Sequence, residues 1–344
     1  MHLRIQRTIA MFLSGALFAG ALVVAGGNSG AVSGAATAQA INLNLADVLS
    51  ATDPGTVALN NLASLVSKAT DDGVHIKVYP QGQLASEKTI VSALRTGTVD
   101  MGLAAISFWT ELVSGIDALG WPYVVTSWQQ ASALATSDAI NSYYRSVFTK
   151  YGVVFVAALP YTWKELIGTQ PVNGPGDLRG MKIRTAGGTG TAFLPLFGAA
   201  APVLTNAETY QALLTHTITQ ANISTSQAVS LKLYEVAKYY TAYHLYMIWL
   251  PVFVNQGAWQ KLAKPQQDAI LQAGQEMVRQ HVAGAAKTLA DQQQLLTSNG
   301  VHLTMISDFT PWKNVVAPAI KQKTTDSAVA QRLLDLADKA TSMK

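Results

Sequence analysis

The sequence predicts an α/β protein of two lobes. Three observations carry this: period-2 apolar runs alternate with helix-period runs, the chain is long enough for two cores, and one helical stretch near the C-terminus could cross both. Of the 344 residues, 304 remain once an N-terminal leader of 40 is removed.

The leader comes first. A basic start, Met1 to Arg7, runs into an apolar stretch from Ile9 to Ala25, and Ala38-Gln39-Ala40 has the small residues a signal peptidase admits. Cleavage after Ala40 and a periplasmic location are expected. The alternative is an uncleaved anchor, because the stretch approaches the roughly 20 residues that span a bilayer. Removing the leader takes away Arg4 and Arg7 and no acid, so the formal charge falls from +4 to +2. No basic run or helix face stands out, so a nucleic-acid partner is not expected. With no cysteine, disulfides, thiolate metal sites and thiol nucleophiles are excluded, as is lipid attachment through an N-terminal cysteine.

Along the mature chain, Ile41, Leu43 and Leu45 alternate with polar residues, as do Val74, Ile76 and Val78, which predicts two strands with one buried face. Ala58, Leu62, Leu65, Val66 and Ala69 recur at helical spacing between them. A second helix from about Ser86 to Thr96 ends at Gly97 and feeds a strand over Val99 to Ala105. Further strands are expected at Val153 to Ala158, Met181 to Thr185, Ala201 to Leu204 and Ile218 to Ile223, with Asn206 as N-cap of a helix through Leu214. The alternation argues for mostly parallel sheets. From Pro265 to Ser298 no further proline interrupts, and those residues make a rod of roughly 50 Å unless Gly284 breaks it into two helices.

Catalytic and metal sets are missing. The six histidines show no H-x-x-x-H spacing, no G-x-S-x-G elbow occurs, and Gly187-Gly188-Thr189-Gly190 lacks the remainder of a phosphate loop, which leaves a close-approach turn into a helix. No cofactor is implied. What remains suits an anion. Arg184 ends a strand just before that turn, where α/β folds bind ligands, and its fork of N–H donors matches a carboxylate. On pattern alone, pairing with a surface acid is the plainer reading of Arg184.

The order of motifs then resembles a known family. Tyr79-Pro80-Gln81-Gly82-Gln83-Leu84, Leu94-Arg95-Thr96-Gly97-Thr98-Val99-Asp100-Met101, Trp121-Pro122-Tyr123, Asp177 to Arg184, Glu208 to Leu213, and Tyr234-Glu235-Val236 with Lys238-Tyr239 are similar to the DctP-type substrate-binding proteins of tripartite ATP-independent periplasmic (TRAP) transporters. The resemblance implies two α/β lobes closing on a ligand and a long helix lying across both. It implies a first lobe over residues 41–161 and a second over 162–249. Residues 250–290 return to the first lobe and form the crossing helix, and residues 291–344 pack on the second.

Function follows from the same resemblance: capture of a small organic acid by a monomer and delivery to TRAP membrane subunits. The alternative is presentation of the solute to a membrane sensor; an enzyme on the same fold is a third reading. Arg184 falls on the arginine that salt-bridges the ligand carboxylate. Lys164 stands where some members carry a second arginine, keeping the charge without the fork. Trp163 is expected to wall the pocket, Phe108 to face the cleft from the first lobe, Asn206 to sit on a ligand-facing loop, and His244 to lie near the hinge. The chain departs from the family after Leu213, where Thr219 replaces an expected aspartate and Ile223 an asparagine. Either the pocket is reshaped, with Asn222, Ser224 or Thr225 serving instead, or the ligand preference is unusual.

Overall fold

The computed structural model describes residues 40–342. The expected leader lies outside them apart from Ala40. Strand β1 (Ile41–Ala46), helix α1 (Pro54–Ala69), β2 (Val74–Tyr79), α2 (Ile90–Thr96) and β3 (Met101–Leu103) form the β-α-β-α-β unit expected from periodicity. Helix α1 starts where the sequence permits it: the Asp53 carboxylate accepts from the Gly55 amide at 2.8 Å, and Pro54 fills a first-turn position that needs no amide donor. Its buried face is Ala58, Leu59, Leu62 and Val66. Helix α2 is shorter than expected, because Ser86 to Thr89 are held as a turn by their own side chains.

Helices α3 (Trp128–Ala135) and α4 (Asp138–Phe148) lead to β4 (Val153–Trp163), which is buried throughout and runs almost directly into β5 (Glu165–Gly168). Next come β6 (Ile183–Arg184), α5 (Gly188–Phe193), α6 (Asn206–Leu214), β7 (Gln220–Ile223), α7 (Thr225–Ser230) and β8 (Tyr239–Ala242). The chain crosses back into β9 (Met247–Asn255), then forms α8 (Gln256–Gln260), α9 (Lys264–Ser298), β10 (His302–Met305), α10 (Thr310–Thr325) and α11 (Ala328–Ser342). No helix among the described residues is long and apolar enough to cross a membrane.

Two five-stranded sheets result, ordered β2-β1-β3-β9-β4 and β10-β8-β5-β7-β6. The parallel pairs implied by the alternation are β1 with β2 and β3, β8 with β10, and β6 with β7. The sheets are nevertheless mixed rather than mostly parallel. Strands β9 and β5 each lie antiparallel to both neighbours, because the chain passes between sheets through β4–β5 and β8–β9. Residues 201–204 form no strand; only Val203 makes an isolated bridge, to Thr185. Thr205, not Asn206, caps α6, in a reciprocal box with Glu208.

Helix α9 is unbroken over 35 residues despite Gly284 and packs on α1, α3 and β4 of the first lobe and on α7 and β10 of the second. Gly274 lets it sit close: a Cβ there would meet Val156 Cγ1 at 2.7 Å. The larger apolar core spreads from the first sheet into Leu166, Ile183 and Phe193 of the second lobe, so the cores are not separate; a smaller one covers the far face of the second sheet. Within the segment 291–344, only part joins the second lobe. Strand β10 extends its sheet, but α11 buries Leu333, Leu336 and Ala337 and leans on α3 and α4 of the first.

Candidate functional site

The two sheets meet where β4 passes into β5 and β8 into β9, and the connecting residues are tied backbone to backbone: the Lys164 amide donates to the Tyr246 carbonyl at 2.9 Å. This crossing forms the floor of a cavity of about 90 Å³ between the lobes. Lys164, Tyr161 and Tyr246 rise from the crossing, Glu87 and Phe108 come from first-lobe loops, and Asn206 and Gln227 come from the starts of α6 and α7. A wider mouth of about 710 Å³ lies outside and shares Glu87, Ser107, Phe108 and Ala186 with the cavity.

Arg184 is wholly buried and does not itself line the cavity; it stands behind Asn206, which does. Its Nε donates to the Leu204 carbonyl and one terminal nitrogen to Asn206 Oδ1, both at 2.9 Å. The other terminal nitrogen, Nη1, is buried without a partner, and among the described residues Arg184 makes no ion pair. Losing the capping role to Thr205 is what leaves the Asn206 amide free to hold Arg184 and still line the cavity. A guanidinium stays charged at any accessible pH, so this is a buried cation with one donor unused.

Lys164 is nearly as buried, and Nζ has one polar neighbour, Gln227 Oε1, at 3.4 Å. Burial, reinforced by the Arg184 charge and only partly offset by Glu87, pushes its pKa down to about 7. Of the charged groups, Lys164 and Glu87 line the cavity, and the fixed charge of Arg184 lies behind Asn206. The glycine turn supplies the opposite wall. Gly187 has φ of 99°, and at Gly190 a Cβ would come within 3.2 Å of the Tyr246 hydroxyl, so the turn is glycine-rich to let that phenol in.

Besides Arg184, the expected residues Trp163, His244 and Asn222 stand behind the cavity rather than in it. Trp163 donates from its indole to the Val125 carbonyl at 3.1 Å and packs edge-on against Trp128. His244 stacks on Trp163 and hydrogen-bonds Glu165 through Nδ1. Burial lowers the His244 pKa, but the Glu165 charge and hydrogen bond outweigh it and hold it above the ordinary value. Asn222 is fully buried, donates to the Tyr243 hydroxyl at 2.5 Å and accepts from the Tyr246 hydroxyl at 3.2 Å, so it orients Tyr246 instead of touching the cavity. Ile223 points the other way, into the smaller core. Ser224 caps α7 and Thr225 bonds the Tyr240 hydroxyl.

Sequence reading missed Glu87 and Gln227. Gln227 carried a usable signal: Ser224-Thr225-Ser226-Gln227 is a capping-box pattern, and the Ser224 hydroxyl does contact Gln227 Oε1 at 3.0 Å. Glu87 carried none beyond lying in the Gly82 to Lys88 loop. Two polar contacts bring the lobes together around the cavity. Thr189 Oγ1 of α5 donates to Asp117 Oδ2 of the first lobe at 3.3 Å, and the Tyr161 hydroxyl joins Asp53 Oδ2, 2.6 Å away, to Ser226 Oγ, 2.5 Å away.

Comparison with known proteins agrees with this architecture. The model of the DctP family, described as bacterial extracellular solute-binding protein, family 7, matches residues 45–326. A solute-binding protein of Albidiferax ferrireducens is 26% identical over 262 residues, covering 75% of this chain and 77% of that one. The sialic acid-binding periplasmic protein of Vibrio cholerae is 22% identical over 284 residues, covering 81% and 88%. Among solved structures, a Bordetella pertussis extracytoplasmic solute receptor binding pyroglutamic acid superposes with a TM-score of 0.80 at 20% identity, over 87% of this chain and 100% of that one.

Proposed function

The chain belongs to the DctP family of bacterial extracellular solute-binding proteins, the receptors of TRAP transporters, and on that premise we propose that it captures a small carboxylate-bearing solute between its lobes and delivers it to TRAP membrane subunits. Members of the family are receptors, not enzymes. The observation that carries the carboxylate is Arg184: a buried cation with an unused donor and no counter-ion is costly, and an anion beside it repays that cost. Two of the relatives described above are named for their ligands, sialic acid and pyroglutamic acid, both carboxylic acids.

Roles follow from position. Arg184 anchors the carboxylate, and Asn206 and the Leu204 carbonyl hold its guanidinium in place. Lys164 supplies a second positive charge when protonated. Glu87 and Gln227 present acceptors to the remainder of the solute, which favours one carrying hydroxyl or N–H donors. Phe108 stands where cavity meets mouth and closes over the solute. Export with removal of residues 1–40 belongs to the same reading, and intact mass of the periplasmic protein checks it.

A thermal-shift screen of residues 41–344 against small organic acids tests the proposal. A solute that binds only the folded protein at a hundred times its Kd adds about 2.7 kcal/mol to apparent stability. At least one acid is expected to raise the melting temperature while its primary amide does not; stabilisation by neutral sugars alone would count against the carboxylate.

A further inference from the structure

One concavity among the described residues is not part of the solute site. A pocket of about 420 Å³ lies on the hinge side, between α9, α1 and the end of β4. Its walls come from both lobes, with Val57 and Asn61 on α1 and Ser226 on α7, and among the lining residues none but His281 is titratable near neutrality and none carries a fixed charge. Tyr161 lines both this pocket and the solute cavity, so one side chain is the partition between them.

Two features mark the pocket as more than a packing fault. His281, which lines it, has Nε2 buried with no hydrogen-bond partner. Burial lowers the His281 pKa, so the ring is neutral, and the carbonyls of Pro160 and Tyr161 face it as acceptors. With the N–H on Nδ1, Nε2 presents a buried lone pair that lacks a donor. The second feature is Gly284. It sits inside α9, where glycine weakens a helix, yet its φ is not positive and an added Cβ would meet nothing within 4 Å. Neither backbone nor packing requires glycine there. Its lack of a side chain leaves the pocket open.

We propose that this hinge pocket is a second ligand site, taking a neutral, mostly apolar small molecule that donates one hydroxyl or N–H to His281. The volume lies within the range of small-molecule sites, and the uncharged walls select against the carboxylates the cleft is built for. Since both lobes and Tyr161 contribute walls, such a ligand contacts the parts that move on closure.

Indole, a neutral aromatic with one N–H, is the probe, and Met277, which lines the pocket, is the reporter. In methyl-labelled protein the Met277 resonance is expected to move saturably with indole. Indene, which lacks the N–H, should bind about fivefold more weakly, the worth of one hydrogen bond. At Gly284 a Cβ meets nothing within 4 Å and leucine favours the helix, so Gly284→Leu should melt no lower than wild type and, by occupying the pocket, bind indole at least about tenfold more weakly. His281→Phe should abolish the preference for indole over indene. An unsaturable response, or indole affinity unchanged in Gly284→Leu, overturns the proposal.

Discussion

At the scale of single residues, the site rests on charges held where water cannot reach them. Arg184→Ala leaves the solute carboxylate desolvated and unpaired, a change that costs about 2–5 kcal/mol. Calorimetry should record roughly 30-fold to several-thousand-fold weaker binding, with Arg184→Lys recovering only part because an ammonium lacks the fork. Lys164 makes binding depend on pH. With its pKa near 7 in the free cavity, where Arg184, Glu87 and Gln227 face it, Lys164 is mostly neutral above neutrality, and a bound carboxylate raises that pKa. Binding at pH 8 should therefore take up a proton, visible as a buffer-dependent enthalpy, and affinity should fall as pH rises above 7; Lys164→Met should abolish both. For the free protein the sign is opposite: an unfolded lysine titrates near 10.4, so this group's burial weighs against stability most below pH 7 and is relieved as pH rises from 7 to 10. How far such residues were legible depended on strand alternation. Trp163 and Lys164 are neighbours at the hinge, as are Asn222 and Ile223 on β7, and successive side chains point to opposite faces. Alternation says that the two members of each pair face opposite ways; which way each faces depends on pairing between β4, β5 and β7, a matter of contacts distant along the chain.

At the scale of elements, the legible parts were those made by local signals. Helix α1 has its Asp53-Pro54 start, α9 its Pro265 entry and Asn299-Gly300 stop, and β1 and β2 their alternation. Strands β5, β8 and β9 were not legible as sheet partners, because their burial on both sides erases the period and their order is set by the crossings between lobes. Those crossings hold the joint between the lobes. Tyr161 on β4 links Asp53, the cap of α1, to Ser226 at the start of α7. Burial raises the Asp53 pKa against the lowering by its Tyr161 and Gly55 hydrogen bonds, so the carboxylate depends on them. Tyr161→Phe should lower thermal stability by about 1–3 kcal/mol, the cost of a buried acceptor left without its donor. The same variant should weaken solute binding, since Tyr161 also lines the cavity; a melting curve and a titration equal to wild type would show that the link is incidental.

At the scale of the whole molecule, two lobes share a continuous core, a 35-residue helix crosses both, and polar contacts join them at Thr189–Asp117 and at Tyr161. With the lobes in contact the cavity is small, so a solute must enter while they are apart and be enclosed as they meet. Small-angle scattering should show a smaller radius of gyration at saturation with the solute than without it, and Thr189→Val should reduce the fraction closed. The account as a whole depends on the solute being held by its carboxylate at Arg184. The most direct test is calorimetric titration of wild type and Arg184→Ala with the acid selected by thermal shift, beside its primary amide. The account predicts that the amide binds wild type at least about 30-fold more weakly than the acid and that Arg184→Ala no longer distinguishes the two. Acid and amide binding wild type within about threefold of one another would contradict it.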